Sequence, residues 1–164
     1  MDMKLCIGTF EDFDIIFGFF LEKAHGFEEK GIDQWTVDYV KTFFNREKLG
    51  HYVESGKFYV LKDNEKIVAG GIMSETDNSN IWGCVKDSAF ITYLVNNKKG
   101  AGRNLIEQLA KLCKSKGLKS LKLDCRDSNT KLKAFYRSCG FKEQGRTLHP
   151  RIEGQLSCLF NRQL

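Results

Sequence analysis

The stretch Phe90-Ile91-Thr92-Tyr93-Leu94-Val95-Asn96-Asn97-Lys98-Lys99-Gly100-Ala101-Gly102-Arg103 carries an apolar run, Phe90 to Val95, into a basic turn ahead of a helix-patterned segment from Asn104. A strand that turns into a helix leaves backbone N–H groups without intrahelical partners at the helix start, and the helix dipole makes that end positive. Lys98, Lys99 and Arg103 add cationic side chains, while Gly100 and Gly102 carry no Cβ to hold a ligand off the backbone. Such a turn suits a polyphosphate. The same residues also suit a solvated connection, so the surrounding elements decide between the two.

Downstream, the expected helix carries Leu105, Ile106, Leu109, Leu112 and Cys113 on one side and stops at Gly117. Leu118 to Cys125 follows as a strand, so strand, turn, helix and strand make one parallel crossover unit. A last helix starts after Asp127, Ser128 or Asn129, each a competent cap, and ends at Gly140, with Leu132, Phe135, Tyr136 and Cys139 at apolar spacing. Phe141 to Thr147 and Gln155 to Asn161 read as closing strands.

Upstream, Met3 to Gly8 reads as a strand and Glu11 to Phe27 as a helix built on Phe13, Ile16, Phe17, Phe20 and Leu21. Thr36 can cap a second helix running through Val37, Val40, Phe43 and Phe44 to Leu49. Lys57 to Leu61 and Ile67 to Met73 form a hairpin around Lys62-Asp63-Asn64-Glu65, and Ser88 to Val95 is the central strand.

A chain of 164 residues with 41% hydrophobic content supports one core, and no Pro, Gly or Ser tract marks a linker, so residues 1–164 are expected to form one domain. No window reads as a signal peptide or a membrane span, which points to a cytoplasmic protein without membrane partners. Cys6, Cys84, Cys113, Cys125, Cys139 and Cys158 show no paired spacing and suit reduced, buried thiols. His25, His51 and His149 lack metal-ligand spacing, so no metal is expected. The net charge of +5 is concentrated on Lys111, Lys114, Lys116, Lys119 and Lys122, several of which complement a helix C-terminus, and no nucleic-acid motif accompanies them.

Taken in order, the basic glycine turn, the amphipathic helix, the strand to Cys125, Asn129, Ala134-Phe135-Tyr136 and Cys139-Gly140-Phe141 resemble the small bacterial members of the GNAT superfamily of acyl-CoA-dependent N-acetyltransferases. The resemblance covers most of the chain. It implies an α+β (α/β) fold: a central mixed, largely antiparallel sheet of about seven strands with one parallel βαβ unit, flanked by about four helices. It also implies acetyl-CoA as cofactor and a small-molecule amine as acceptor, and since small members often pair, a homodimer is an expectation.

The family's pyrophosphate motif of Arg or Gln, two residues, Gly, any residue and Gly or Ala falls on Asn97, Lys98, Lys99, Gly100, Ala101 and Gly102. Asn97 departs from it, and Lys98, Lys99 or Arg103 would supply the missing charge. The resemblance assigns backbone groups at Leu94, Val95 and Asn96 to the pantetheine arm, Asn129 to the cofactor arm and Tyr136 to the thioester sulfur.

The residue types suit acyl transfer. A protonated amine needs a base or water chain to expose its lone pair, and a phenol can assist a departing thiolate. Taken by position alone, Tyr136 also fits inward packing. Glu75 is the expected base, with Asp87 the other nearby carboxylate, although each also fits a solvated loop charge. Asp124 at a strand end is a further candidate that fits a turn cap as well. Cys125 has no activating partner in the sequence and reads as a buried thiol. Phe27, Glu28, Glu29, Asp33, Trp35, Asp38 and Tyr39 lie where the family places its acceptor wall, and acids beside aromatics suit a cationic amine near Trp35.

A dinucleotide-binding oxidoreductase is disfavoured because Leu105 replaces the third glycine of that fingerprint, and a Walker site because Arg103 and Asn104 follow Gly102. A non-catalytic acyl-CoA-binding or protein-interaction module on the same fold is the alternative.

Overall fold

The computed structural model describes residues 2–32, 34–77, 80–83 and 85–164, so Asp33 and Cys84 lie outside the described residues. The elements run β1 (Met3–Ile7), α1 (Phe10–Glu29), α2 (Val37–Phe43), α3 (Arg46–Glu54), β2 (Phe58–Asp63), β3 (Lys66–Ser74), β4 (Ser88–Asn96), α4 (Ala101–Ser115), β5 (Ser120–Arg126), α5 (Thr130–Ser138), β6 (Lys142–Leu148) and β7 (Leu156–Gln163). The strands form a mixed seven-stranded sheet in the order β1-β2-β3-β4-β5-β7-β6, with β4 and β5 parallel.

The chain divides into two compact units, Met1–Ile72 with Tyr93–Leu105, and Met73–Thr92 with Ile106–Leu164. The first is organised by an aromatic core. The Phe13 and Phe44 rings stack at 4.6 Å, Phe20 lies 4.5 Å from Phe44, and Ile16, Phe58, Val60 and Val95 are buried with them. Thr9 starts α1 with a capping box, accepting from the Asp12 N–H at 3.2 Å while Asp12 accepts from the Thr9 N–H at 3.0 Å. The β2–β3 hairpin closes on Asn64 and Glu65, both at positive φ (48° and 68°), the backbone that a two-residue turn between twisted strands requires.

The single helix expected from Thr36 to Leu49 is two helices. Asn45 separates them: its Oδ1 accepts from the Lys48 N–H at 3.0 Å, starting α3, while its Nδ2 donates to the carbonyls of Lys41 and Thr42 at the end of α2. One amide therefore satisfies orphan groups of both helix ends. Asn45→Ala should cost about 1 kcal/mol of stability, or more with both ends left open, checked by urea unfolding.

In the second unit, Leu121, Leu123 and Cys125 are buried on one face of β5, and Lys122, Asp124 and Arg126 alternate with them. Asn129 caps α5, its Oδ1 accepting from the Leu132 N–H at 3.1 Å. Lys133, only 8% exposed, holds Asp127 at 2.8 Å, and Arg146 of β6 holds the same carboxylate at 2.7 Å. Both partners keep the Asp127 carboxyl below its usual range, so these ion pairs fix the start of α5 against β6.

Candidate active site

The glycine turn lies in the first unit. β4 bends before reaching it, because Tyr93 sits at φ 53°, a left-handed backbone that costs a bulky residue of order 1–3 kcal/mol. Its ring is held at 5.5 Å from Phe44 and 6.2 Å from Phe20, so aromatic packing sustains the bend. Gly71 faces this bend, where a Cβ would meet Leu94 Cδ1 at 3.3 Å. The parallel ladder from β4 to β5 runs over Ser88, Ala89 and Phe90. Leu94 is half-buried, while Val95 sends its side chain into the aromatic core.

Past β4, the Asn97 N–H donates to the Val68 carbonyl at 3.0 Å, at the bulge where β3 carries one residue more than β2. The Asn96 side chain donates to the Lys98 carbonyl at 2.9 Å. Gly100 takes φ 83° and brings the chain into α4, which begins at Ala101 rather than near Asn104, so buried Gly102 lies inside the first turn. Lys98 is committed to an ion pair with Asp63 at the end of β2. Of the cations expected to replace the one missing at Asn97, Lys98 is thus engaged, while Lys99 and Arg103 are exposed.

The second unit holds the titratable groups. Tyr136 is 6% exposed, with its ring 5.7 Å from Phe160 and 6.0 Å from Phe141. Burial, reinforced by Cys125, Asp124 and Cys139, raises its phenol well above the usual tyrosine range. Asp124 lies within electrostatic reach of that phenol. Its own carboxyl is pushed up to about 6, chiefly by burial and then by Asp77, against the opposing pull of Arg151 and Ser157. The Ser157 hydroxyl is buried beside Asp124 and favours its ionised form. Lys122, on the same face of β5, lies over the Trp82 ring at 4.8 Å and donates to Asn161 Oδ1 at 2.5 Å.

The structure brings Tyr136 together with Asp124 rather than with the expected base. Glu75 is exposed just past β3, and its charge acts on Cys113, beside Lys116 in the C-terminal part of α4. Burial pushes that thiol up to about 11 and the Cys125 thiol up to about 12, so neither is a thiolate at neutral pH. Cys6, Cys113, Cys125, Cys139 and Cys158 are all free thiols. The Asn129 side-chain oxygen caps α5. Trp35 packs against Phe20 at 4.8 Å and Phe27 at 6.0 Å, and Glu28 accepts from the Val37 N–H at 2.9 Å. Asp124 was legible as a carboxylate between Leu123 and Cys125 on a strand; its desolvation and the like charge of Asp77 were not.

A family model described as acetyltransferase (GNAT) family matches residues 23–141. The chain belongs to the GNAT acetyltransferase family. Its co-substrate is acetyl-CoA. The fold is similar to that of PaiA N-acetyltransferase from Thermoplasma acidophilum, solved with coenzyme A, at 15% identity and TM-score 0.73 over 100% of both chains. It is likewise similar to a GNAT acetyltransferase from Listeria monocytogenes, at 17% identity and TM-score 0.77 over 99% of this chain and 95% of that one. Ribosomal-protein-alanine N-acetyltransferase from Brucella melitensis is similar at 14% identity and TM-score 0.72, over 98% and 99% of the two chains. No curated protein sequence matches. Among the described residues, no helix of this GNAT protein is long and apolar enough to cross a membrane, and no cluster of His, Cys, Asp or Glu could hold a metal.

Proposed function

We propose that this GNAT protein is a cytoplasmic N-acetyltransferase that moves the acetyl group of acetyl-CoA to a primary amine by direct attack, with residues 1–164 acting as one catalytic domain. The observation that carries the reading is the pairing of Asp124, a half-buried carboxyl with a pKa of about 6, with the protonated phenol of Tyr136. Burial raises both groups, yet at neutral pH the carboxyl is largely ionised while the phenol stays protonated, which suits a base and an acid. Asp124, in place of Glu75, takes the ammonium proton directly or through one water. The amine nitrogen then attacks the thioester carbonyl; as the tetrahedral intermediate collapses with cleavage of the C–S bond, the nitrogen releases its second proton, which neutralises the departing thiolate through solvent, while the Tyr136 hydroxyl donates a hydrogen bond to that sulfur. The turn from Asn97 to Arg103 and the backbone of Leu94 and Val95 are assigned to the cofactor, with the N–H groups of Gly100 and Gly102 directed to its phosphates, that of Ala101 being held by the Lys98 carbonyl. Trp35 is assigned to the acceptor wall.

Incubation with acetyl-CoA and a panel of polyamines, aminoglycosides, amino acids and peptide amines tests the reading through release of free thiol. The name of the Brucella neighbour places a peptide with N-terminal alanine in that panel. Thiol release should depend on one class of amine. Tight binding of acetyl-CoA with no release on any amine would instead make the chain a non-catalytic acyl-CoA-binding module.

A further inference from the structure

The first unit contains a cavity of about 530 Å³, lined by the C-terminal half of α1 and the residues that follow β4. Its volume is in the range of small-molecule sites. Among the described residues, Lys23, Lys30 and Lys99 line it against one carboxylate, Glu22, with Phe27 and Asn97 adding apolar and neutral polar surface. Lys98 also lines it, but its ammonium is paired with Asp63. Lys23 and Lys30 are two helical turns apart and so lie on one face of α1 and its cap. The position of Lys30 at the helix C-cap complements the dipole, whereas Lys23 lies too far inside the helix for that explanation.

The balance of charge decides the class of ligand. A cationic amine would meet more like charge than opposite charge here, and a phosphate would meet the reverse. The cavity also shares Asn97, Lys98 and Lys99 with the turn already assigned to the cofactor, and it supplies cations beside the position where Asn97 brings none. We infer that this cavity receives phosphate groups of coenzyme A, and that Lys23 and Lys30 of α1 provide the positive charge absent at position 97. The inference rests on the acetyl-CoA reading above. It adds α1, an element from the opposite end of the sequence, to the cofactor-binding surface.

Calorimetric titration of coenzyme A, dephospho-coenzyme A and pantetheine into the wild type, K23Q/K30Q and K23R/K30R tests it. All these lysine side chains belong to exposed residues, so melting temperatures should be unchanged. K23Q/K30Q should bind coenzyme A about tenfold more weakly at low salt, with the difference shrinking as salt rises, while K23R/K30R stays near wild type. Pantetheine, which has no phosphate, should bind all three proteins alike. A loss seen with coenzyme A and not with dephospho-coenzyme A assigns the pair to the 3′-phosphate, and an equal loss with both assigns it to the pyrophosphate. Coenzyme A affinity in K23Q/K30Q within twofold of wild type overturns the inference. Wild-type protein that binds no coenzyme A at all overturns the acetyl-CoA reading itself.

Discussion

Asp124→Asn is expected to remove most turnover while making the protein more stable at pH 8. General-base assistance contributes about 10²- to 10⁴-fold, so kcat/KM should fall by that order. The pH profile identifies the group. With the Asp124 carboxyl at about 6, wild-type kcat/KM should rise with unit slope below that pH and level above it, as the carboxylate becomes available. The variant should lose this acidic limb. Stability moves the other way. The folded-state pKa lies above the ordinary value of 3.8, so the folded protein binds this proton more tightly than the unfolded chain does. The associated stabilisation is fully present below pH 3.8 and is lost as pH rises through 6, leaving a penalty of about 3 kcal/mol at neutral pH and above. Asn keeps the shape without the charge and also relieves repulsion from Asp77. The variant should therefore melt several degrees above wild type at pH 8, with the gap closing towards pH 4. An acidic limb that persists in Asp124→Asn, with plateau activity within threefold of wild type, would sink the assignment.

This trade also shows which features are legible in a sequence. The crossover from β4 through Gly100 into α4 and on to β5 can be read locally, because a left-handed glycine, an amphipathic stripe and a strand each leave a mark within a few residues. The cap at Asn129 and the break at Gly140 belong to the same class. Asn45 does not, because a mid-pattern Asn reads as a tolerated helix residue until both helix ends are seen on one amide. Tyr93 is further out of reach. Nothing in an aromatic residue predicts positive φ, and the rings that hold it there come from α1 and the residue closing α2. The charges of the candidate site are the least legible of all. Lys98 looks available until Asp63, 35 residues earlier, is found against it. Asp124 looks like an ordinary strand-end acid until Asp77, Arg151 and Ser157 surround it. Pair energies and burial are long-range properties, and a motif records only the groups that it contains.

Tyr136→Phe should lower kcat by about 10- to 100-fold while leaving the dissociation constant of coenzyme A nearly unchanged. The raised pKa decides what kind of help the phenol gives. A free thiol such as that of coenzyme A has a pKa of about 8.5, far below the buried phenol, so complete proton transfer to the departing thiolate is uphill. The hydroxyl therefore acts mainly as a hydrogen-bond donor to charge developing on sulfur, an interaction worth about 1.5–3 kcal/mol, which matches the expected loss. Because that charge exists only as the C–S bond breaks, the effect falls on kcat rather than on binding. Two further results follow. Raising the pH to 9 should not erode the phenol's contribution, since burial keeps it protonated, so wild type and variant should share the same alkaline behaviour. An acetyl thioester of a more acidic thiol, whose leaving group needs less help, should narrow the gap between the two proteins. A constant gap across leaving groups would show that Tyr136 acts through packing with Phe141 and Phe160 instead of through its hydroxyl.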